Sequence, residues 1–305
     1  MLKNAALRIT SKCLIFVLLL VLILSIKCEK SALKDEALLL IRCDDIGMCH
    51  AVNQAVKEVV ETGIPFSASV MFTCPWYQEA VEILKDHPNV SVGIHLTLNA
   101  EWKSYRWGPV SGSESVPSLV DKDGYFFPSR KLFFDNEPNI VEIEKELRAQ
   151  IERALQSGVA IDYVDHHMGT AVSTPELRLL LENITKEYHL GISRYYGETD
   201  IRGLYNSPIE KKTDALLSLT DKIAPDQLNL MVFHIGLDTQ EMSALVDLNE
   251  FGLKEMSRHR ESELKALTSR KFLKNLKDRN VKLINYRDLI ANRDLEDMTR
   301  PQTEY

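Results

Sequence analysis

Short apolar runs recur along the chain at 37–43, 66–72, 90–96, 161–164, 190–195, 228–235 and 281–284, each bounded by polar or turn-forming residues. Runs of this length without polar alternation are the mark of strands buried on both faces, so they predict seven strands. Between them the apolar positions switch to a spacing of three or four, which predicts helices over 53–61, 76–85, 139–156, 175–188, 207–219 and 257–277. The third is the clearest: Ile140, Ile143, Leu147, Ile151 and Leu155 mark one stripe, and Gly158 supplies the stop. Alternating strands and helices imply parallel strands joined by crossover helices. The expected fold class is α/β: a single (β/α) barrel-like domain over 38–291, distorted or incomplete, with a linker over 29–37 and a polar tail over 292–305.

Two segments interrupt the rhythm. A long insertion after the third strand, 99–137, carries Trp102, Tyr105 and Trp107, then Asp123-Gly124 ahead of Tyr125, Phe126 and Phe127. Asp-Gly before aromatics predicts a hairpin. Its rings either stand exposed and stack on sugars or pack the insertion against the barrel, and both readings stay open. The second insertion spans 237–255.

Residues 1–28 read differently. Lys3, Arg8 and Lys12 precede an apolar run over 14–26 broken only by Ser25. That run is shorter than the ~20 residues a spanning helix needs and has the length of a secretory signal. The expectation is an exported protein, periplasmic or at the cell surface, with a signal peptide or lipoprotein leader. Cys28 follows the run directly and suggests a lipid anchor and membrane attachment through the N-terminus, although Lys27 stands where a small residue is usual; a retained N-terminal anchor is the alternative. Cys43, Cys49 and Cys74 show no Cys-x-x-Cys spacing, so neither a disulfide framework nor a thiolate zinc site is expected. They read as small buried apolar residues, with one disulfide among them left open.

The 305 residues are 45% hydrophobic and 27% charged, as in ordinary globular proteins, which disfavours disorder and a multi-span membrane architecture. The formal charge is −7, without a basic stretch, and this argues against nucleic acid as a partner.

Four polar clusters lie at the carboxyl ends of predicted strands, where parallel α/β folds bind substrates. The first is Asp44-Asp45. Neighbours in a strand face opposite ways, so both carboxylates reach one site only if the chain turns there, as Gly47 permits. The second is His95 and the third Asp165-His166-His167. A carboxylate and two imidazoles form the mixed donor set of hydrolytic divalent metal sites. His234 closes the sixth strand; it is a candidate acid rather than a further ligand, since a catalytic cation needs open positions. Arg194 either orients Asp44, binds substrate or makes a structural ion pair. His50 and Asp165 are candidates for fixing imidazole tautomers. His87, His189 and His259 read as surface or packing residues.

Taken together, Ile41 to Gly47, Gly93-Ile94-His95, Val164 to His167, Phe233-His234, the Arg260…Glu263-Leu264…Leu267 pattern and Tyr286-Arg287-Asp288-Leu289 resemble the YdjC-like carbohydrate deacetylases, which include deacetylases of N-acetylated chitooligosaccharides. The resemblance runs over nearly the whole chain from Leu38 to Leu289. It implies a distorted (β/α) barrel holding one divalent metal ion, Mg2+ or Zn2+ among the options, through Asp45, His95 and His167. Asp44 would act as general base and His234 as acid or transition-state stabiliser, on an N-acetylated sugar or oligosaccharide substrate. Two departures stand out. His166 fills a position where the family has Ser or Thr, which leaves His166 an alternative to His167, and Met168-Gly169-Thr170 replaces later histidines. Ile235-Gly236 stands where Pro-Gly is common. Two other functions remain open: a barrel hydrolase acting on another amide or a phosphoester, and an inactive surface lipoprotein binding sugar through Trp102, Tyr105 and Trp107. The oligomeric state is undetermined, a homodimer included.

Overall fold

The computed structural model describes residues 37–302. The leader over 1–28, the anchor at Cys28 and the linker up to 36 lie outside the described residues. Among those described, no helix is long and apolar enough to cross a membrane.

Strand β1 (Ala37–Ile46) is the centre of the sheet, and from Leu39 onward every residue of it is buried. One of its edges pairs with β7 (Leu228–Phe233). Its other edge is shared: β8 (Val281–Ile284) pairs with residues 37–40 and β2 (Ser67–Val70) with residues 42–46. The order continues from β2 through β3 (Ser91–Leu96), β4 (Tyr163–His166) and β5 (Gly191–Ile192), and from β7 to β6 (Thr199–Asp200). All these pairings are parallel. The outermost strands β5 and β6 do not pair with each other among the described residues, so the sheet is a curled half-barrel. Helices α1 (His50–Glu61), α2 (Tyr77–Lys85), α3 (Arg130–Asp135), α4 (Ile140–Gln156), α5 (Pro175–Glu187), α6 (Lys212–Leu219), α7 (Gln240–Ser243), α8 (Met256–Leu267), α9 (Arg270–Asp278) and α10 (Tyr286–Asn292) fill the connections.

The α/β barrel-like class is as the pattern predicts, with two adjustments of detail. The predicted helix over 257–277 divides at Ser269, whose hydroxyl accepts from Phe272 N and caps a new helix, α9. Strand β6 is polar and two residues long, so an apolar-run criterion passes over it.

Close packing explains one glycine. Gly93 of β3 sits opposite Tyr163 of β4, and a Cβ at 93 would lie 2.3 Å from the ring. The ring thereby crosses the sheet interior, and its hydroxyl meets Ser69 Oγ at 2.7 Å.

Helix α4 buries Ile143, Leu147 and Ile151 as expected, but Leu155 is exposed and the stripe instead includes Glu146 and Gln150. These two polar groups hold the insertion after β3. Glu146 accepts from Val110 N and Ser111 N, each at 2.9 Å, and Gln150 bonds both Thr97 N and Thr97 O. Within the insertion, Val120 and Phe126 form an antiparallel bridge around Gly124, the expected hairpin at its minimum size. The insertion also pairs with the second one through Lys103 N to Val246 O and Leu248 N to Glu101 O. Trp102 and Trp107 are buried, which favours packing over display for these two rings.

Candidate metal and catalytic site

The site forms where β1, β3, β4 and β7 end. Its cavity, about 230 Å3, is lined by Asp44, Asp45, His95, His167, His234 and Arg260, among others. All five sequence-predicted site residues therefore face one space.

Local backbone geometry brings the two adjacent carboxylates together. β1 gains one residue relative to β2 between Cys43 and Ile46, a bulge, and Asp45 within it has φ +62°. A left-handed residue at a bulge re-aims its side chain, so the turn comes from Asp45 itself, inside the strand, ahead of Gly47. The β3–β4 register pairs His95 with Asp165 directly. Their side chains share a face, and His95 Nδ1 lies 2.9 Å from Asp165 Oδ1. That leaves His95 Nε2 facing inward, 3.3 Å from Asp45 Oδ1 and 3.3 Å from His167 Nδ1. His167 Nδ1 is 3.2 Å from the same Asp45 oxygen, and its other nitrogen, Nε2, lies 2.9 Å from Glu101 Oε2. Asp45 Oδ2 is taken by Arg260 at 2.6 Å. His166 lines the cavity without joining this three-donor group.

Asp165 and Glu101 each demand an N–H from the imidazole they face, which places those hydrogens on His95 Nδ1 and His167 Nε2. With both rings neutral, the remaining ring nitrogens would present lone pairs to each other and to the buried Asp45 Oδ1, 3.3 and 3.2 Å away. Three acceptors converging in a buried space need positive charge between them, supplied by protons or by a cation. One carboxylate oxygen and two neutral imidazoles are a fitting donor set for a divalent ion, and these atoms lie within 4.8 Å of one another. A second group within the same limit, Asp44, His95 and Asp165, fits less well. Arg42 already pairs with both of its carboxylates, with Nε 2.7 Å from Asp44 and 3.1 Å from Asp165, and Asp165 takes up the His95 nitrogen on that side.

Charge shapes the protonation of each group. Burial opposes a charge on His95, but Asp165 and then Asp44 outweigh it and lift its pKa to about 10. His167 is raised to about 9 against burial, chiefly by Glu101 and Asp45. Burial would raise Asp44, yet Arg42 and then His95 bring it down to about 2, so it stays ionised. Burial, with Arg194 and Arg42, pushes His166 well below the usual imidazole value and keeps it neutral. His234 is half-buried at the cavity wall, its backbone N–H donating to Glu263 Oε2 and its ring meeting Tyr205 edge-on at 5.3 Å.

Arg42, Arg260 and Glu263 fall within stretches that carry the family resemblance, but nothing in their spacing gives the contacts they make. Glu101 is the contributor that the sequence does not flag at all. Arg194 pairs with Asp200 at 2.9 Å, the structural option, and Arg42 instead holds Asp44. Asp165 fixes His95 as expected, whereas His50 is exposed and bonds Glu79, away from the site. Cys43, Cys49 and Cys74 are buried free thiols.

The chain is 29% identical to a carbohydrate deacetylase from Enterococcus faecalis, over 82% of this chain and 97% of that protein. It is 27% identical to one from Thermoanaerobacter pseudethanolicus, over 81% of this chain and 97% of that protein. The crystal structure of a proposed cellobiose-phosphate cleavage protein from Enterococcus faecalis shares the fold, with a TM-score of 0.69 at 23% identity, covering 83% of this chain and 99% of that one. A family model described as YdjC-like protein matches residues 38–278, and the chain belongs to that family.

Proposed function

We propose that this chain is a metal-dependent carbohydrate deacetylase that hydrolyses the acetamide of N-acetylated sugars, yielding acetate and a free amino sugar. Its standing as an enzyme of this class rests on its family and on relatives carrying that name. The observation that carries the reaction type is the convergence of Asp45, His95 and His167 beside Asp44 and His234 in one cavity. Asp45 Oδ1, His95 Nε2 and His167 Nδ1 would hold the ion. A divalent cation there supplies Lewis acidity toward water and toward the acetamide carbonyl.

The remaining work belongs to side chains. Asp44, kept ionised by Arg42, is in the accepting form at working pH and takes the proton of the attacking water. A carboxylate this weakly basic gives the proton up again, and its return through solvent to the imidazole of His234 after the amine has left restores both groups to their starting forms. His234, across the same cavity, donates to the amine nitrogen as the carbon–nitrogen bond breaks. Tyr205 and Glu263 limit the motion of its ring and backbone.

The charged and apolar N-terminal segment supports export with attachment through the N-terminus, which fractionation of cells expressing the full chain reads directly. The central test couples metal analysis of the purified protein to acetate release from N-acetylglucosamine oligomers. Acetate release that needs a divalent ion and disappears in Asp44→Asn is expected. Phosphate release without acetate would replace this reading, and oligomer binding without turnover under any metal would leave a binding protein.

A further inference from the structure

The aromatic residues anticipated as sugar platforms, Trp102 and Trp107, are packed into the protein, yet one ring at the site is not. Phe251 is 71% exposed and lines the rim of the metal cavity. An exposed phenyl on a floppy loop would mean little, but this one is tied down on three sides. Leu248 N donates to Glu101 O at 2.8 Å, the backbone of the residue whose carboxylate meets His167. Asn249 Nδ2 reaches Pro128 O at 2.8 Å, and Gly252 N closes a turn onto Asn249 O at 3.1 Å. Gly252 is needed there, since a Cβ would lie 2.3 Å from the Asp247 carboxylate. Phe251 thus stands at the tip of a tethered turn.

Phe251 also lines an adjoining hollow with Ser129, Arg130, Lys131, Met168 and Asn249. Met168 borders both spaces, so the hollow continues outward from the metal cavity. Its make-up, one apolar face beside the Ser129 hydroxyl and the Arg130 guanidinium, suits a pyranose, whose C–H face is apolar and whose edge carries hydroxyls.

We infer that Phe251 is a specificity-determining residue on which the sugar next to the reacting one stacks, so that the enzyme prefers oligosaccharides to single amino sugars. This rests on the deacetylase reading above. Covering part of an exposed phenyl face is worth about tenfold in affinity. In Phe251→Ala, kcat/KM for tri-N-acetylchitotriose should fall about tenfold further than for N-acetylglucosamine, through KM, while Phe251→Trp retains the preference. Calorimetric titration of the metal-free protein with the trimer should show a matching loss of affinity in Phe251→Ala. That binding arm reads the inference even if no sugar is turned over, which separates its failure from that of the reaction. Equal falls for both substrates, or a trimer Kd unchanged in Phe251→Ala, would overturn it.

Discussion

Cation binding to the metal-free protein should release protons, and its affinity should climb steeply with pH. Four buried carboxylates, Asp44, Asp45, Asp165 and Glu101, face two guanidiniums, Arg42 and Arg260, across the His95 and His167 rings. With neutral rings the cluster carries two uncompensated negative charges. The raised values of about 10 for His95 and about 9 for His167 express the same imbalance: without a metal, two protons fill the gap at neutral pH. A divalent ion seated on His95 Nε2 and His167 Nδ1 displaces both. The apparent association constant should then rise by up to about a hundredfold per pH unit between pH 6 and 8, about 1.4 kcal/mol for each proton. The converging lone pairs set a floor of one proton, hence about tenfold per unit. Calorimetric titration of Zn2+ into the metal-free protein, in buffers of different ionisation enthalpy, counts the protons directly. A pH-independent Kd with no proton release would refute the reasoning. In the metal-free protein the raised imidazole values stabilise the fold fully below about 6.5, the unfolded value, and that contribution is lost as pH rises through about 9 and 10. Metal-loaded protein should instead lose its added stability as pH falls.

Replacing Glu101 by Gln removes the charge that orients His167, so metal affinity should drop about 10- to 100-fold in a competition titration while the fold, read by circular dichroism, survives. Arg42→Met leaves Asp44 and Asp165 buried without their counter-charge; chemical denaturation should show a loss of about 3–5 kcal/mol, and the Asp44 pKa, followed by carboxylate NMR, should rise from about 2. Gly93→Ala drives a methyl into the Tyr163 ring and should cost about 1–3 kcal/mol or more, with Tyr163→Leu in the same chain recovering part of it.

The alternation of apolar runs and helical stripes suffices for the α/β class because strands buried on both faces leave a continuous apolar mark, and it fails for β6, whose Thr199 and Asp200 are polar. The site is legible to the extent that its members end strands: His95, His167 and His234 are each flagged by polarity breaking an apolar run. Of the two adjacent imidazoles, both of which line the cavity, His167, the first residue past β4, brings its Nδ1 to 3.2 Å from Asp45 Oδ1, and His166 stays outside that group. Glu101 stays hidden for a different reason: it reaches the site from an insertion, and no period relates it to a strand end. Arg260, on α8, is marked in the sequence by its place in the resemblance, but its contact with Asp45 is not. The bulge is the deepest case: period-two alternation forbids adjacent Asp44 and Asp45 from sharing a site, and only an inserted residue with φ +62° lifts that rule. A left-handed conformation disfavours most L-residues by about 1–2 kcal/mol and is tolerated best by Gly, Asn and Asp. The Asp that would bind the ion therefore also suits the backbone that aims it, and Asp45→Asn should keep the bulge while Asp45→Val should lose both the bulge and the fold around it.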